Sequence, residues 1–531
     1  MNIAAILTLF HVLWAVPLLL VSYTRPPSRA LQFEVRSLPD APDIPRSWAG
    51  RIPVPDSEDG NSMFFWLFEA EDTPRYDDFV RLMTGTGPLV FDGNSARLVK
   101  NPHRWSRVAN VLYVDQPVGT GYSTASTPYP VRDNEAVTSD FYKWLKAFFS
   151  YFPHLQGKPL HMMGESYAGI YIPYIASAIV KNNDSFPIDL RSISLGDGTW
   201  GNNAAMTSVA IGSYLRSKQS QLKIPDDILA VFEEADRECG FDEVIKKADV
   251  FPVPGKFTIP GDPEYLNYKQ RLHYLQRRGL DDILDISCNI HPTTPEETRQ
   301  SIMNSSCFGP CATFSTAMDY ITTASEAGTG VPCFDMYDIS NDCDTIDPLP
   351  LMNTYFSRAD VQKALNIPPE SDSEPLSYQP CNPSILETLL AAESPTPPAY
   401  DIIPDLTNFH GIHLHIYSGE NDFLVNHFGT EISMQNLTWR GTRGFANKPD
   451  KPFYVNDTFP AELPDCTPTS DIKGLVCIPD DYPLPRQAGI WSEERRSSYH
   501  LFRDAGHSVF LKQPGPMLSF VRDVVVNQTI M

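Results

Sequence analysis

Ser166, Asp422 and His507 are far apart in this chain, but each has a local context suited to nucleophilic catalysis. Ser166 is the centre of Gly164-Glu165-Ser166-Tyr167-Ala168-Gly169. Ahead of it, Lys158-Pro159 leads into the buried-strand run Leu160-His161-Met162-Met163. Behind it, Ala168 to Ala176 can start a packed helix. Strand, serine among small residues, then helix is the layout of a nucleophile elbow. The turn is so tight that positions two residues either side of the serine must be small. It lifts Oγ clear of the sheet and aims a helix N-terminus at it. Position +2 is Ala168 rather than glycine, with Gly169 behind it, which the sterics still allow. A G-x-S-x-[GA] match also arises by chance in long chains; the flanking strand and helix single this one out.

An elbow serine needs a base, and the base needs a carboxylate to fix its tautomer. With an elbow, the chain order is serine, then Asp or Glu, then His. The strand pattern Leu414 to Tyr417 runs into Ser418-Gly419-Glu420-Asn421-Asp422-Phe423, which puts Asp422 on a post-strand loop with Glu420 as its rival. The pattern Tyr499 to Phe502 is followed by Arg503-Asp504-Ala505-Gly506-His507, so His507 also lies just past a strand, beside small residues. Of 12 histidines, His507 stands out by context and order.

The elements that must position these groups read as an α/β protein. Ser47 to Val54, Met63 to Phe68, Val111 to Val114, Ile193 to Leu195 and Ile412 to Tyr417 have strand character. Val111-Leu112-Tyr113-Val114 is apolar without a break, as expected of a strand buried on both faces. It ends in Asp115-Gln116-Pro117-Val118-Gly119-Thr120-Gly121, a loop at the carboxyl end of a strand, where α/β sheets keep their ligands. Phe141, Trp144, Leu145 and Phe148 give a helix running up to Pro153. From about 202 to 347 the texture changes to helical patterns, such as 228–235 and 268–278, between Pro- and Cys-rich connections. Six cysteines fall there: Cys239, Cys288, Cys307, Cys311, Cys333 and Cys343. The expected organisation is a leader over 1–22, a core in two parts over 43–201 and 348–531, and a disulfide-stapled helical cap over 202–347.

At 531 residues the chain exceeds one ordinary core but suits a large α/β enzyme with an inserted cap. A net charge of −23 argues against nucleic acid or an anionic membrane as partner. Ile3 to Val21 is an apolar run that reads as a signal peptide, with an uncleaved anchor as the alternative, and no later segment is long and apolar enough to span a bilayer. Five N-x-[ST] sequons, at Asn183, Asn304, Asn436, Asn456 and Asn527, add to a secretory reading. None of the nine cysteines forms a C-x-x-C metal clip, so disulfides are expected, with neither metal nor cofactor.

Together these stretches resemble the serine carboxypeptidase family, fungal type. The resemblance is carried by Ser47-Trp48-Ala49-Gly50, Asp115 to Gly121, Gly164 to Gly169, Arg358-Ala359-Asp360-Val361-Gln362-Lys363-Ala364-Leu365, Asp422 and Ala505-Gly506-His507. It implies an α/β-hydrolase fold with a central, mostly parallel sheet, in a secreted or vacuolar protein that removes single residues from peptide C-termini at acidic pH. By this resemblance Ser166 attacks the last peptide carbonyl, His507 shuttles the proton and Asp422 orients the imidazole. The Tyr167 N–H gives one oxyanion-hole donor. Glu165 helps to bind the terminal carboxylate through one shared proton, hence the low pH.

One stretch departs from the family. A buried strand and a Trp-Leu-Asn-Gly-Gly-Pro-Gly-Cys-Ser-Ser-type loop should fall just before Asp78. This chain instead reads Arg75-Tyr76-Asp77-Asp78-Phe79-Val80-Arg81-Leu82-Met83-Thr84-Gly85. The family loop supplies the second oxyanion donor and an Asn that grips the carboxylate. The glutamate that elsewhere pairs with the elbow glutamate corresponds to Gly85. Losing one oxyanion donor costs on the order of 100–1000-fold in rate, and losing a central strand threatens the sheet. Cys466 and Cys477 can pair locally and the cap cysteines are even in number, which leaves Cys381 over. The resemblance pairs that cysteine with one in the absent loop, so a lost segment accounts for both. The alternatives to a carboxypeptidase are a non-catalytic relative and an acyltransferase using the same triad.

Overall fold

A computed structural model describes residues 29–527 apart from 59, 72–76, 80–84, 92–96, 127–131, 261–290, 305–309, 346–347, 369–374, 379, 381, 393–395 and 456–485. Its strands are β1 (Glu34–Val35), β2 (Ser47–Pro53), β3 (Ser62–Phe68), β4 (Asp77–Phe79), β5 (Leu89–Phe91), β6 (Leu98–Lys100), β7 (Asn110–Val114), β8 (Leu160–Glu165), β9 (Leu190–Gly196), β10 (His413–Gly419), β11 (Thr438–Trp439), β12 (Thr442–Arg443), β13 (Lys451–Val455), β14 (Arg486–Glu494) and β15 (Ser497–Phe502). Eleven of them form one sheet in the order β1-β2-β3-β7-β4-β8-β9-β10-β15-β14-β13, while β5–β6 and β11–β12 are separate hairpins. The centre, from β7 through β4, β8, β9 and β10 to β15, is parallel. Antiparallel pairs extend it on both sides.

β3 shows why the sheet is covered on both faces. Alternate strand residues point to opposite sides. Met63, Phe65 and Leu67 join the apolar cluster with Trp144, Phe148 and Phe152, whereas Phe64, Trp66 and Phe68 join the cluster with Tyr113, Phe502 and Phe520. The first face is covered by α1 (Asn134–Tyr151) and α2 (Ala168–Lys181). Asp133 caps α1, its carboxylate accepting from the Ala136 N–H at 2.8 Å.

The expected loss of a central strand is corrected by this topology. Asp77–Phe79 occupies the slot between β7 and β8 and runs parallel to both, with Asp77 opposite Asn110 and Leu160. Ladder hydrogen bonds are made by the backbone, so three residues of unpromising composition can keep the sheet continuous.

Between β9 and β10 the chain forms helices that include Ser208–Ser217, Asp226–Glu238, Phe241–Ala248 and Thr313–Glu326. Their apolar faces gather into two further clusters. The disulfides Cys239–Cys311 and Cys333–Cys343 staple this region. Among the described residues, no helix is long and apolar enough to cross a membrane. The leader 1–22, the helical pattern 268–278, Cys288, Cys307, Cys381, Cys466, Cys477 and Asn456 lie outside the described residues.

Of the sequons, Asn183 and Asn527 are exposed, and Asn304 ends the helix Pro295–Asn304. Asn436 requires a correction. Its side chain is buried, Nδ2 donating to Phe257 O at 3.0 Å and Oδ1 accepting from Phe257 N at 3.3 Å. A glycan on that nitrogen is incompatible with this packing.

Candidate active site

Ser166 follows β8 directly with φ at 61°, a left-handed conformation that a non-glycine residue adopts only when its surroundings enforce it. Three backbone bonds do so. Ser166 N–H donates to Gly196 O at 3.0 Å, and Ser166 O accepts from Gly169 N–H at 2.9 Å and Thr199 N–H at 3.1 Å. The small neighbours are obligatory. A Cβ on Gly164 would lie 2.5 Å from the Ala168 Cβ, and one on Gly169 2.7 Å from the Thr199 nitrogen. The strand run at 160–163, the tight turn at Ser166 and the helix start at 168–176 are thus all present, and Tyr167 stands at the N-terminus of α2.

The fold brings Asp422 and His507 together. His507 Nδ1 lies 2.7 Å from Asp422 Oδ2, both side chains being buried. The other carboxylate oxygen accepts from Val425 N–H at 3.1 Å. Glu420, the rival carboxylate, lies instead 3.3 Å from the Lys218 ammonium, at the surface end of the same turn. The small residues before His507 are there for contact. A Cβ on Gly506 would fall 2.3 Å from Tyr337 O. Asn421 N–H donates to Ala505 O at 2.8 Å, which joins the two post-strand loops.

One segment that sequence reasoning missed braces both loops. Tyr337 O accepts from His507 N–H at 2.7 Å, Met336 O accepts from Phe423 and Leu424 N–H at 3.2 Å each, and Ile339 N–H donates to Asn421 O at 3.1 Å. The Cys333–Cys343 disulfide closes the loop that contains this brace. The Tyr337 ring lies 5.4 Å from the His507 ring and is 51 % exposed. Backbone pairing has no residue signature, so only the cysteine spacing hinted at this loop.

Glu165 is buried at the end of β8, and the Ser508 hydroxyl donates to its Oε1 at 2.8 Å. Gly85, which the resemblance sets against a second glutamate, has φ at 145° and meets Phe510: a Cβ there would come within 2.7 Å of that ring. Residues 72–76, just before Asp78, where the resemblance places the loop with the second oxyanion donor, lie outside the described residues. Asp115, in the loop after β7, accepts from Tyr122 N–H at 2.8 Å, and Gly121 leaves no room for a Cβ beside its carboxylate. Burial raises Asp115 to about 7, against the opposing effects of that N–H and of Arg51. Asp197, just past β9, is pushed well above the usual carboxylate range, first by burial and then by Asp422 and Glu165. Sequence reasoning does not single it out. Among the described residues, no group of His, Cys, Asp and Glu side chains could hold a metal ion.

Comparison with known proteins agrees with this arrangement. The family model described as serine carboxypeptidase matches residues 42–527. A carboxypeptidase Y homolog of Arthroderma benhamiae is 42 % identical over 512 residues, covering 93 % of this chain and 94 % of that protein. A pheromone-processing carboxypeptidase kex1 of Neosartorya fischeri is 28 % identical, covering 93 % of this chain and 68 % of its own. Among solved structures, the prohormone-processing carboxypeptidase Kex1Δp of Saccharomyces cerevisiae superposes with a TM-score of 0.60 at 19 % identity, over 94 % of this chain and 96 % of that one, a likeness of fold. The chain belongs to the serine carboxypeptidase family and is a serine-type carboxypeptidase that acts on peptides.

Proposed function

We propose that the chain releases single residues from peptide C-termini through an acyl-enzyme formed on Ser166. The observation that carries the reading is the buried 2.7 Å contact between His507 Nδ1 and Asp422, which leaves Nε2 as the nitrogen for proton transfer. His507 takes the Ser166 proton as Oγ attacks the last peptide carbonyl, and then gives it to the leaving amine. Asp422 holds the ring in the required tautomer and stabilises its charged form. The Tyr167 N–H, at the start of α2, donates to the developing oxyanion, helped by the positive end of the helix. Water then resolves the ester by the same relay.

Glu165 recognises the substrate's terminal carboxylate. A carboxyl next to the nucleophile can hold another carboxylate only by sharing a proton, which favours acidic conditions and restricts the enzyme to chain ends. A secretory or vacuolar location, suggested by the sequons and disulfides, suits such chemistry. The cap reading of 202–347 is supported by the brace from Met336 to Ile339 across both catalytic loops.

The test is peptide digestion followed by mass spectrometry, with labelling by a serine-directed phosphonofluoridate. The parent should shorten peptides one residue at a time and label at Ser166, and Ser166→Ala should lose both, with a rate loss of at least about 1000-fold. Undiminished turnover in Ser166→Ala would overturn the assignment. Folded parent protein that neither labels nor cleaves would favour the non-catalytic reading.

A further inference from the structure

Asp197 is a buried carboxyl that the triad mechanism leaves without a task. It is 1 % exposed, directly after β9, with φ at 39° and its N–H donating to Tyr417 O at 2.9 Å. Both of its carboxyl oxygens lie 3.1 Å from the N–H of Gly419, the last residue of β10. Gly419 O in turn accepts from Asp422 N–H at 3.4 Å. Asp197 therefore holds the root of the turn that carries Asp422, through one intervening residue.

We propose that Asp197 is a positioning residue for the triad, gripping the Gly419 amide in its uncharged form so that the negative charge of this site stays on Asp422. The inference rests on the triad reading above. Three carboxyls, Glu165 at the end of β8, Asp197 just after β9 and Asp422 in the loop after β10, stand at the same ends of neighbouring strands of one sheet, and Asp197 feels the other two. The other titratable groups that feel Asp197 are two buried phenols, Tyr499 of β15 and Tyr214 of the helix Ser208–Ser217. Acids crowded in a dry site cannot all ionise together. Asp422 faces an imidazole that becomes cationic during turnover, so its charge is compensated. Asp197 meets the Gly419 amide and the Ser418 hydroxyl, whose hydrogen bonds burial and the two neighbouring acids outweigh, so it is the one to keep its proton. Burial, Asp422 and Glu165, in that order, all push its titration upward. Once it ionises, a second charge lies beside Asp422 and the grip on Gly419 is made by a repelled group.

Asp197→Asn keeps an oxygen for the Gly419 N–H and can never ionise, whereas Asp197→Ala removes the grip. Peptide kcat and KM would be measured from pH 4 to pH 9 for the parent, both variants and Ser166→Ala. Asp197→Asn should stay within about threefold of the parent at acidic pH and lose less kcat as pH rises, and Asp197→Ala should lose at least about tenfold in kcat at every pH with KM little changed. An alkaline limb identical in parent and Asp197→Asn, or Asn falling as far as Ala, overturns the proposal. Urea unfolding separates this from failure of the triad reading. A group with a raised native pKa contributes stability at low pH and loses it as pH rises. Asp197→Asn should therefore gain stability relative to the parent between pH 5 and pH 8, and parallel curves would overturn the proposal even if no chain turned over peptide.

Discussion

His500 makes acid stability a quantitative test of this packing. It lies in the middle of β15, fully buried, with its ring 4.8 Å from Phe520, 5.2 Å from Phe453 and stacked on Trp491 at 5.6 Å. Neither ring nitrogen has a hydrogen-bond partner among the described residues. Burial alone lowers it to about 3, because a charged imidazole in an aromatic box has nothing to replace its water. The native chain thus binds the proton more weakly than the unfolded chain, whose histidine titrates near 6.5. The contribution is fully present above pH 6.5 and is lost as pH falls from there towards 3. At pH 5 the loss is RT ln(1 + 10^1.5), about 2 kcal/mol, or roughly 30-fold in the unfolding equilibrium. Replacing His500 by Phe changes packing by an amount that does not depend on pH, so the comparison is the drop in stability from pH 7.5 to pH 5 within each protein. Urea unfolding followed by tryptophan fluorescence gives both values. The variant should lose about 2 kcal/mol less than the parent over that interval. Equal drops would show that the imidazole is protonated in the native state, and would refute the reasoning.

Three further outcomes follow from the site. Glu165→Ala should raise KM about tenfold for peptides with a free C-terminal carboxylate, with little effect on amidated ones, as steady-state kinetics on matched peptides would show; equal effects on both would remove Glu165 from carboxylate binding. Tyr337→Ala removes an exposed ring over His507 while leaving the backbone brace, so KM should rise for peptides with apolar penultimate residues more than for glycine, measured across a substrate series. Gly164→Val forces side-chain atoms against Ala168 and Ile172; it should lower the unfolding midpoint in a thermal melt by several degrees and abolish serine labelling even in the fraction that folds.

What could be read in the sequence was whatever leaves a residue signature. The elbow was legible because its sterics demand glycine and alanine at fixed offsets, and β3 and β7 because their apolar runs Met63 to Phe68 and Val111 to Val114 are those of strands buried on both faces. The choice between Glu420 and Asp422 was not legible, since both sit on the same post-strand turn. Two residues decide whether the carboxylate reaches His507 or Lys218. Asn436 carries a sequon but is locked against Phe257, because burial is set by long-range packing that a three-residue pattern does not encode.

β4 reverses the expectation most directly, and the reason bears on the site itself. Asp77-Asp78-Phe79, with two acids in three residues, lacks the unbroken apolar character expected of a central strand, yet it pairs with β7 on one side and β8 on the other. A parallel sheet is held by its backbone ladder and by the layers covering its faces. The strands that flank it are themselves buried, β8 along its whole length and β7 from Asn110 to Tyr113. A short insert can therefore keep β7 and β8 in register without supplying much of the core. That register matters because β8 ends in Glu165, with Ser166 directly after it, and the loop after β7 carries Asp115. The sheet thereby keeps the nucleophile in place across the stretch from Arg75 to Gly85 that the resemblance marks as a departure.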